Sequence, residues 1–95
     1  MAMPERMRII DVARPGGPEA LVEVEREVPE CESGEVLIRI QAAGLNRADI
    51  LQRRGRYPAP PGAPSHPGLE IAGTIVQCAE DVRDFSVGDP VWSHL

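Results

Sequence analysis

Ten prolines and nine glycines punctuate these 95 residues. That density most restricts the fold: it favours short strands joined by turns and leaves little room for long helices. Five of the prolines fall in one stretch. Pro58, Pro60, Pro61, Pro64 and Pro67 crowd into Tyr57–Gly68, which reads as a stiff extended loop rather than a linker to a second domain. A chain of this length is one domain at most and buries only roughly two-thirds of its unfolded surface. Its single Tyr, Phe and Trp are few for a self-sufficient core.

Between the turns, the apolar residues mostly recur with period two. Met7–Ala13 is a short apolar strand ended by the turn run Arg14–Pro18. Leu21–Val28 places Val22, Val24 and Val28 on one face and Glu23, Glu25 and Glu27 on the other, the pattern of a half-buried strand. Glu35–Ala43 alternates again, with Val36, Ile38, Ile40 and Ala42 facing one way. Leu69–Ala79 reads as a fourth strand, and Gly73 within it marks a bulge or a close backbone approach. Phe85–Asp89 with Pro90 is a turn, and Val91–Leu95 is a further strand.

One helix is expected at about 46–54. Asn46 fits the N-cap, and Asp49 sits at N3, where its carboxylate answers the Asn46 N–H. Leu45 and Ile50 occupy the positions of a hydrophobic staple. Arg53 and Arg54 suit the negative end of the helix, and Gly55 suits C′. This helix needs no function to explain it.

The net charge of −5 argues against a nucleic-acid partner, which requires a basic footprint. Charge is segregated: residues 19–35 hold seven Glu against Arg26, while residues 47–56 hold four Arg against Asp49. Both runs read as solvated faces. Cys31 and Cys78 are isolated, which predicts reduced thiols rather than a zinc site or a disulfide framework. His66 and His94 have no partner at ligand spacing and read as surface or turn histidines. No apolar run approaches the ~20 residues of a membrane span, and the N-terminus lacks a secretory apolar region. A cytoplasmic protein with no membrane partner is expected.

Four segments carry a family resemblance: PGGPEAL (15–21), GEVLIRIQAAGLNRADILQRRGRYPAPPG (34–62), HPGLEIAGTIV (66–76) and FSVGDPV (85–91). Together they resemble the N-terminal, GroES-like half of the medium-chain dehydrogenase/reductase superfamily. The nearest likeness is to the zinc-free, zeta-crystallin-type quinone oxidoreductases and their tumour-suppressor-inducible branch. The resemblance implies a mainly β fold, a GroES-like partial β-barrel with one short helix. It implies that residues 1–95 are an incomplete GroES-like domain, with the Rossmann domain and the closing strands elsewhere. An open sheet edge is then expected to pair with another chain, in keeping with a homo-oligomer.

The resemblance also implies chemistry. Zinc alcohol dehydrogenases of the superfamily have Cys where this chain has Asn46 and His where it has Leu69. Asn and Leu do not replace thiolate and imidazole around zinc, so of that constellation only Glu70 remains. What is implied is hydride transfer from NADPH to a small-molecule quinone without zinc, in a full-length parent. The chain by itself is expected to be inactive. By the resemblance, Asn46 lies near the nicotinamide, a role compatible with capping, and for Asp49 a structural role is favoured. Tyr57 keeps two readings: a wall of the cleft shared by cofactor and quinone, where it serves as catalytic and cofactor-binding residue, or a packing residue that clamps the proline loop.

Two departures stand out. Relatives have glycines at the positions of Ala79 and Asp81, so a distorted turn is expected there. Some relatives have Tyr at the position of Leu51. The alternatives to quinone reduction are an enoyl-thioester reductase of the same superfamily and a non-catalytic β-rich binding module.

Overall fold

The computed structural model describes residues 4–56, 61–64 and 66–94. Their elements run β1 (Arg6–Val12), a 3-10 turn (Pro18–Ala20), β2 (Leu21–Glu27), β3 (Val36–Ala43), α1 (Arg47–Arg53), β4 (Glu70–Cys78) and β5 (Pro90–His94). Strands dominate, one short helix is present, and each expected element appears within a residue or two of its expected ends. The elements group into two compact units, one of residues 1–28 and 45–68 and the other of residues 29–44 and 69–95.

The first unit is built on an antiparallel β1–β2 hairpin. Arg6, Arg8 and Ile10 stand opposite Glu27, Glu25 and Glu23 on one face, and Ile9 stands opposite Val24 on the other. The glutamate row is solvated, as its alternation predicts, and faces arginines: Arg8 meets Glu23 at 3.3 Å and Arg6 meets Glu25 at 3.9 Å. Exposed pairs like these are worth only a few tenths of a kcal/mol each. Ala20 is fully buried in the 3-10 turn, and its carbonyl accepts the Ala13 N–H at 2.8 Å.

Helix α1 closes its C-terminus with a Schellman arrangement. The Arg56 N–H reaches the Leu51 carbonyl at 2.8 Å, and the Gly55 N–H reaches that of Gln52 at 3.0 Å. Gly55 takes φ +77°, the left-handed conformation for which glycine is suited. Arg53 does more than complement the dipole. Its carbonyl accepts the Gly16 N–H at 2.9 Å while its Nε donates to the Gly16 carbonyl at 3.1 Å. The helix end is thereby tied to the glycine turn at both of that residue's backbone groups. The expected staple does not form: Leu45 is 94% exposed and Ile50 is exposed as well.

The second unit is a three-stranded antiparallel sheet with β4 in the centre, flanked by β3 and β5. Register shifts between Leu37 and Ile38 and between Ile40 and Ala42 interrupt the β3–β4 ladder. The extra residue is Val76 on β4 at the first shift and Gln41 on β3 at the second, so the alternation expected of β3 breaks only beyond Ile40. Ile40 is 57% exposed. Gly73 pairs with Ile40, and a Cβ on it would collide with the Arg39 carbonyl oxygen. The close approach foreseen for this glycine is real.

Ile75 is 1% exposed and is the fully buried large side chain of this sheet among the described residues. Its N–H donates to the Asp89 carbonyl at 3.0 Å and its own carbonyl accepts from Gly88 at 2.8 Å. The turn before β5 is thus anchored on the most buried point of β4. Phe85, Val87 and Trp92 remain exposed, Trp92 by 74%. Cys31 and Cys78 are free thiols that donate to the carbonyls of Glu35 at 3.0 Å and Phe85 at 3.6 Å.

The turn at 79–82 corrects another expectation. No non-glycine residue among those described has positive φ, so Ala79 and Asp81 do not force a distortion. Instead the Asp81 carboxylate accepts the Ser33 hydroxyl at 2.5 Å and the Gly34 N–H at 2.9 Å. A side chain absent from glycine thus joins two turns. The Ser33 hydroxyl, and then the Gly34 N–H, hold the Asp81 carboxyl below its ordinary value of 3.8.

Two outcomes follow from this geometry. Gly73→Ala is expected to lower stability by about 1–3 kcal/mol, since the obstructing atom is backbone and not a flexible side chain. The urea midpoint measures it, and an unchanged midpoint contradicts the close approach. Asp81 is charged more readily in the folded chain, so its contribution is present above the ordinary carboxylate range and is lost as pH falls through its lowered value. Asp81→Asn is therefore expected to flatten the acid limb of a plot of melting temperature against pH below about 4. Superimposable acid limbs for the two proteins would refute the role of this carboxylate.

Candidate functional site

The start of α1 carries the residue that the family resemblance places beside a nicotinamide. Asn46 is extended, with φ −130° and ψ 154°, the backbone expected of an N-cap. The Asp49 Oδ2 accepts the Asn46 N–H at 2.9 Å, and the Asp49 N–H reaches the Asn46 carbonyl at 3.0 Å. The capping box read from the sequence is present, with the Asn46 side chain toward the Asp49 N–H and the Asp49 carboxylate on the Asn46 N–H. Asn46 and Asp49 are both half-buried, so the turn is held by protein rather than by bulk water alone.

The second Asp49 oxygen has a use that the sequence did not announce. Its Oδ1 accepts the Gly68 N–H at 3.1 Å, across 19 residues of sequence. One carboxylate thus spans the first turn of the helix and the end of the proline loop. Gly68 has φ +120°, a conformation in which only glycine is comfortable. No periodicity or spacing rule joins positions 49 and 68, so the contact was not recoverable from the sequence. Just before it, His66 is half-buried, with Nδ1 3.4 Å from the Pro67 carbonyl, a turn histidine as expected. Tyr57, the other candidate, lies outside the described residues.

In the second unit, β4 begins at Glu70, directly after Leu69. The Glu70 carbonyl accepts the Gly44 N–H at 2.9 Å. A Cβ on Gly44 would stand 2.5 Å from the Glu70 carboxylate, so this glycine leaves space for that side chain. Strand pairing places His94 opposite Glu70, with Nε2 4.0 Å from Oε1. His94 is a surface histidine as expected, and the register adds a carboxylate neighbour that its sequence position did not announce. A pair 24 residues apart becomes visible only once β4 and β5 are aligned.

Donor chemistry decides what these positions can hold. Leu69 offers no lone pair, and a carboxamide such as Asn46 is a poor substitute for thiolate. Among the described residues, no group of three or more His, Cys, Asp or Glu is placed to hold a metal ion. The geometry instead offers a capped, pre-ordered polar side chain at a helix start. Such a group can orient a polar ring by hydrogen bonding.

Comparison with known proteins agrees with this architecture. The family of the alcohol dehydrogenase GroES-like domain matches residues 32–95. A quinone oxidoreductase from Lama guanicoe is 42% identical over 88 residues, covering 92% of this chain and 27% of that protein. The crystal structure of human synaptic vesicle membrane protein VAT-1 homolog-like protein superposes with a TM-score of 0.86 at 33% identity, over 97% of this chain and 29% of that one. Escherichia coli quinone oxidoreductase complexed with NADPH gives a TM-score of 0.81 at 34% identity, over 90% of this chain and 26% of that one. The chain spans between 14% and 29% of the length of these and other relatives. With the GroES-like segments, the strand order and the single capped helix all in agreement, the chain belongs to the alcohol dehydrogenase GroES-like domain family.

Proposed function

We propose that the chain is the N-terminal catalytic-domain part of a zinc-free, NADPH-dependent quinone oxidoreductase. The observation that carries this reading is the pair Asn46 and Leu69, set in a chain 42% identical to a quinone oxidoreductase. Those two positions are where zinc alcohol dehydrogenases of the superfamily keep ligands. The fold does not decide the metal by itself, since a cobalt- and zinc-bound alcohol dehydrogenase from Pyrobaculum aerophilum has it too, with a TM-score of 0.80. The residue chemistry is what favours the metal-free reading.

On this reading NADPH supplies the hydride that reduces the quinone. The chain's own residues bind and orient. Asn46 presents its carboxamide to the nicotinamide side of the cleft from a backbone already fixed by Asp49. Tyr57 forms an apolar wall with one hydroxyl donor, suited to a planar quinone oxygen. Leu69 offers an apolar side chain where a ligand would otherwise stand. A cytoplasmic location and association of chains through open sheet edges complete the proposal.

Two experiments bear on it, both on the full-length enzyme. Prolonged chelation is expected to leave quinone turnover unchanged, and added zinc is expected not to raise it. Activity that vanishes with the chelator and returns with zinc would sink the zinc-free assignment. Tyr57→Phe keeps the ring and removes only the hydroxyl. A cleft role predicts a kcat/KM about tenfold lower, corresponding to ~1.4 kcal/mol in the transition state, with little change in melting temperature. Unchanged kinetics would leave Tyr57 as scaffold.

A further inference from the structure

Asp49 is bonded through both carboxylate oxygens to backbone N–H groups on two different segments. Oδ2 takes the N-cap of α1 at Asn46, 2.9 Å away, and Oδ1 takes Gly68 at the end of the proline loop, 3.1 Å away. Capping explains the first contact in full. It does not explain the second, because a capping box needs only one oxygen. Gly68 adds a constraint of its own. Its φ of +120° leaves the loop end in a conformation that local preferences do not enforce, so an external acceptor is needed to select it. A charged acceptor shared between two N–H donors is stronger and more directional than a neutral one.

We infer that Asp49 is a positioning residue: it sets the loop end at Gly68 and the backbone that carries Asn46 in one fixed relation. This rests on the proposed reading of Asn46 as the residue beside the nicotinamide. Asp49 itself touches neither cofactor nor quinone and acts through the two backbone groups it holds. Small displacements at such a support translate into large losses of rate, because the reacting geometry tolerates little error.

The test uses the full-length enzyme with NADPH and an ortho-quinone, and two substitutions. Asp49→Asn retains one carbonyl acceptor and turns an NH2 toward the other donor. Asp49→Glu retains a carboxylate, and Glu at this position is the usual partner of a capping box, but its added methylene spoils simultaneous reach to Gly68. Positioning predicts kcat/KM about tenfold lower in both variants. Asp49→Glu is expected to keep a melting temperature close to wild type, and amide hydrogen exchange at Gly68 is expected to accelerate in both. Asp49→Glu with wild-type kinetics and a protected Gly68 amide would reduce Asp49 to a helix cap and overturn the inference. Faster Gly68 exchange with unaltered kinetics overturns it equally, since the loop end would then not matter to the reaction. An inactive wild-type enzyme is a different result: it removes the function reading first, and this inference with it.

Discussion

The second unit depends on a missing side chain. Among the described residues β4 is the strand of its sheet paired on both edges, and Gly73 lies near its middle, directly against the Arg39 carbonyl. Any Cβ there would push β3 away from β4 and break the ladder on both sides of the Ile40 pairing. Register shifts lie on either side of this pairing, before Ile38 and between Ile40 and Ala42. Ile75 lies two residues further on, fully buried, and fixes the turn before β5 through its own N–H and carbonyl. The close backbone approach and the buried isoleucine thus sit two residues apart on one strand.

The first unit is organised by a different principle. It has little buried apolar surface, since Ala20 is its fully buried residue among those described. Its loops are held instead by side chains that bond to backbone. Arg53 holds Gly16 at one end of α1 and Asp49 holds Gly68 at the other. Both partners are glycines, where backbone N–H and carbonyl groups are accessible because nothing shields them. A seven-residue helix is too short to be stable by propensity alone, and these ties, with the Schellman closure, supply part of what burial does not.

Much of this was legible in the sequence, and what was not has a common cause. Element identity and ends followed from Gly and Pro punctuation and from period-two patterning, which are local. The cap at Asn46 and Asp49 was legible for the same reason. Register is not local. The two shifts in the β3–β4 register, the Glu70–His94 pairing and the Asp49–Gly68 bond each depend on how distant segments align, and no spacing rule encodes that. Leu45 and Ile50 show the reverse error: they occupy staple positions in the sequence, yet both stand in solvent. Position alone does not create the contact when nothing covers it. At Asp81 an expected strain was replaced by a hydrogen-bonded clamp, because a carboxylate offers what glycine cannot.

The same distinction bears on chemistry. A metal ligand must be deprotonated and held at a fixed distance, so a zinc site advertises itself by residue type. A site that works by orientation carries a weaker signature, since a carboxamide or a phenol serves equally well in a fold. What makes such a side chain useful is the rigidity of its backbone. Asn46 begins with that advantage: as an N-cap it is already immobilised by Asp49, so contact with a ligand costs it less conformational entropy than contact by a residue on a free loop. Capping at Asn46 is thus compatible with the proposed cofactor contact. On the proposed reading, the bond that stabilises the helix also fixes the backbone from which the Asn46 side chain is offered to the reactants.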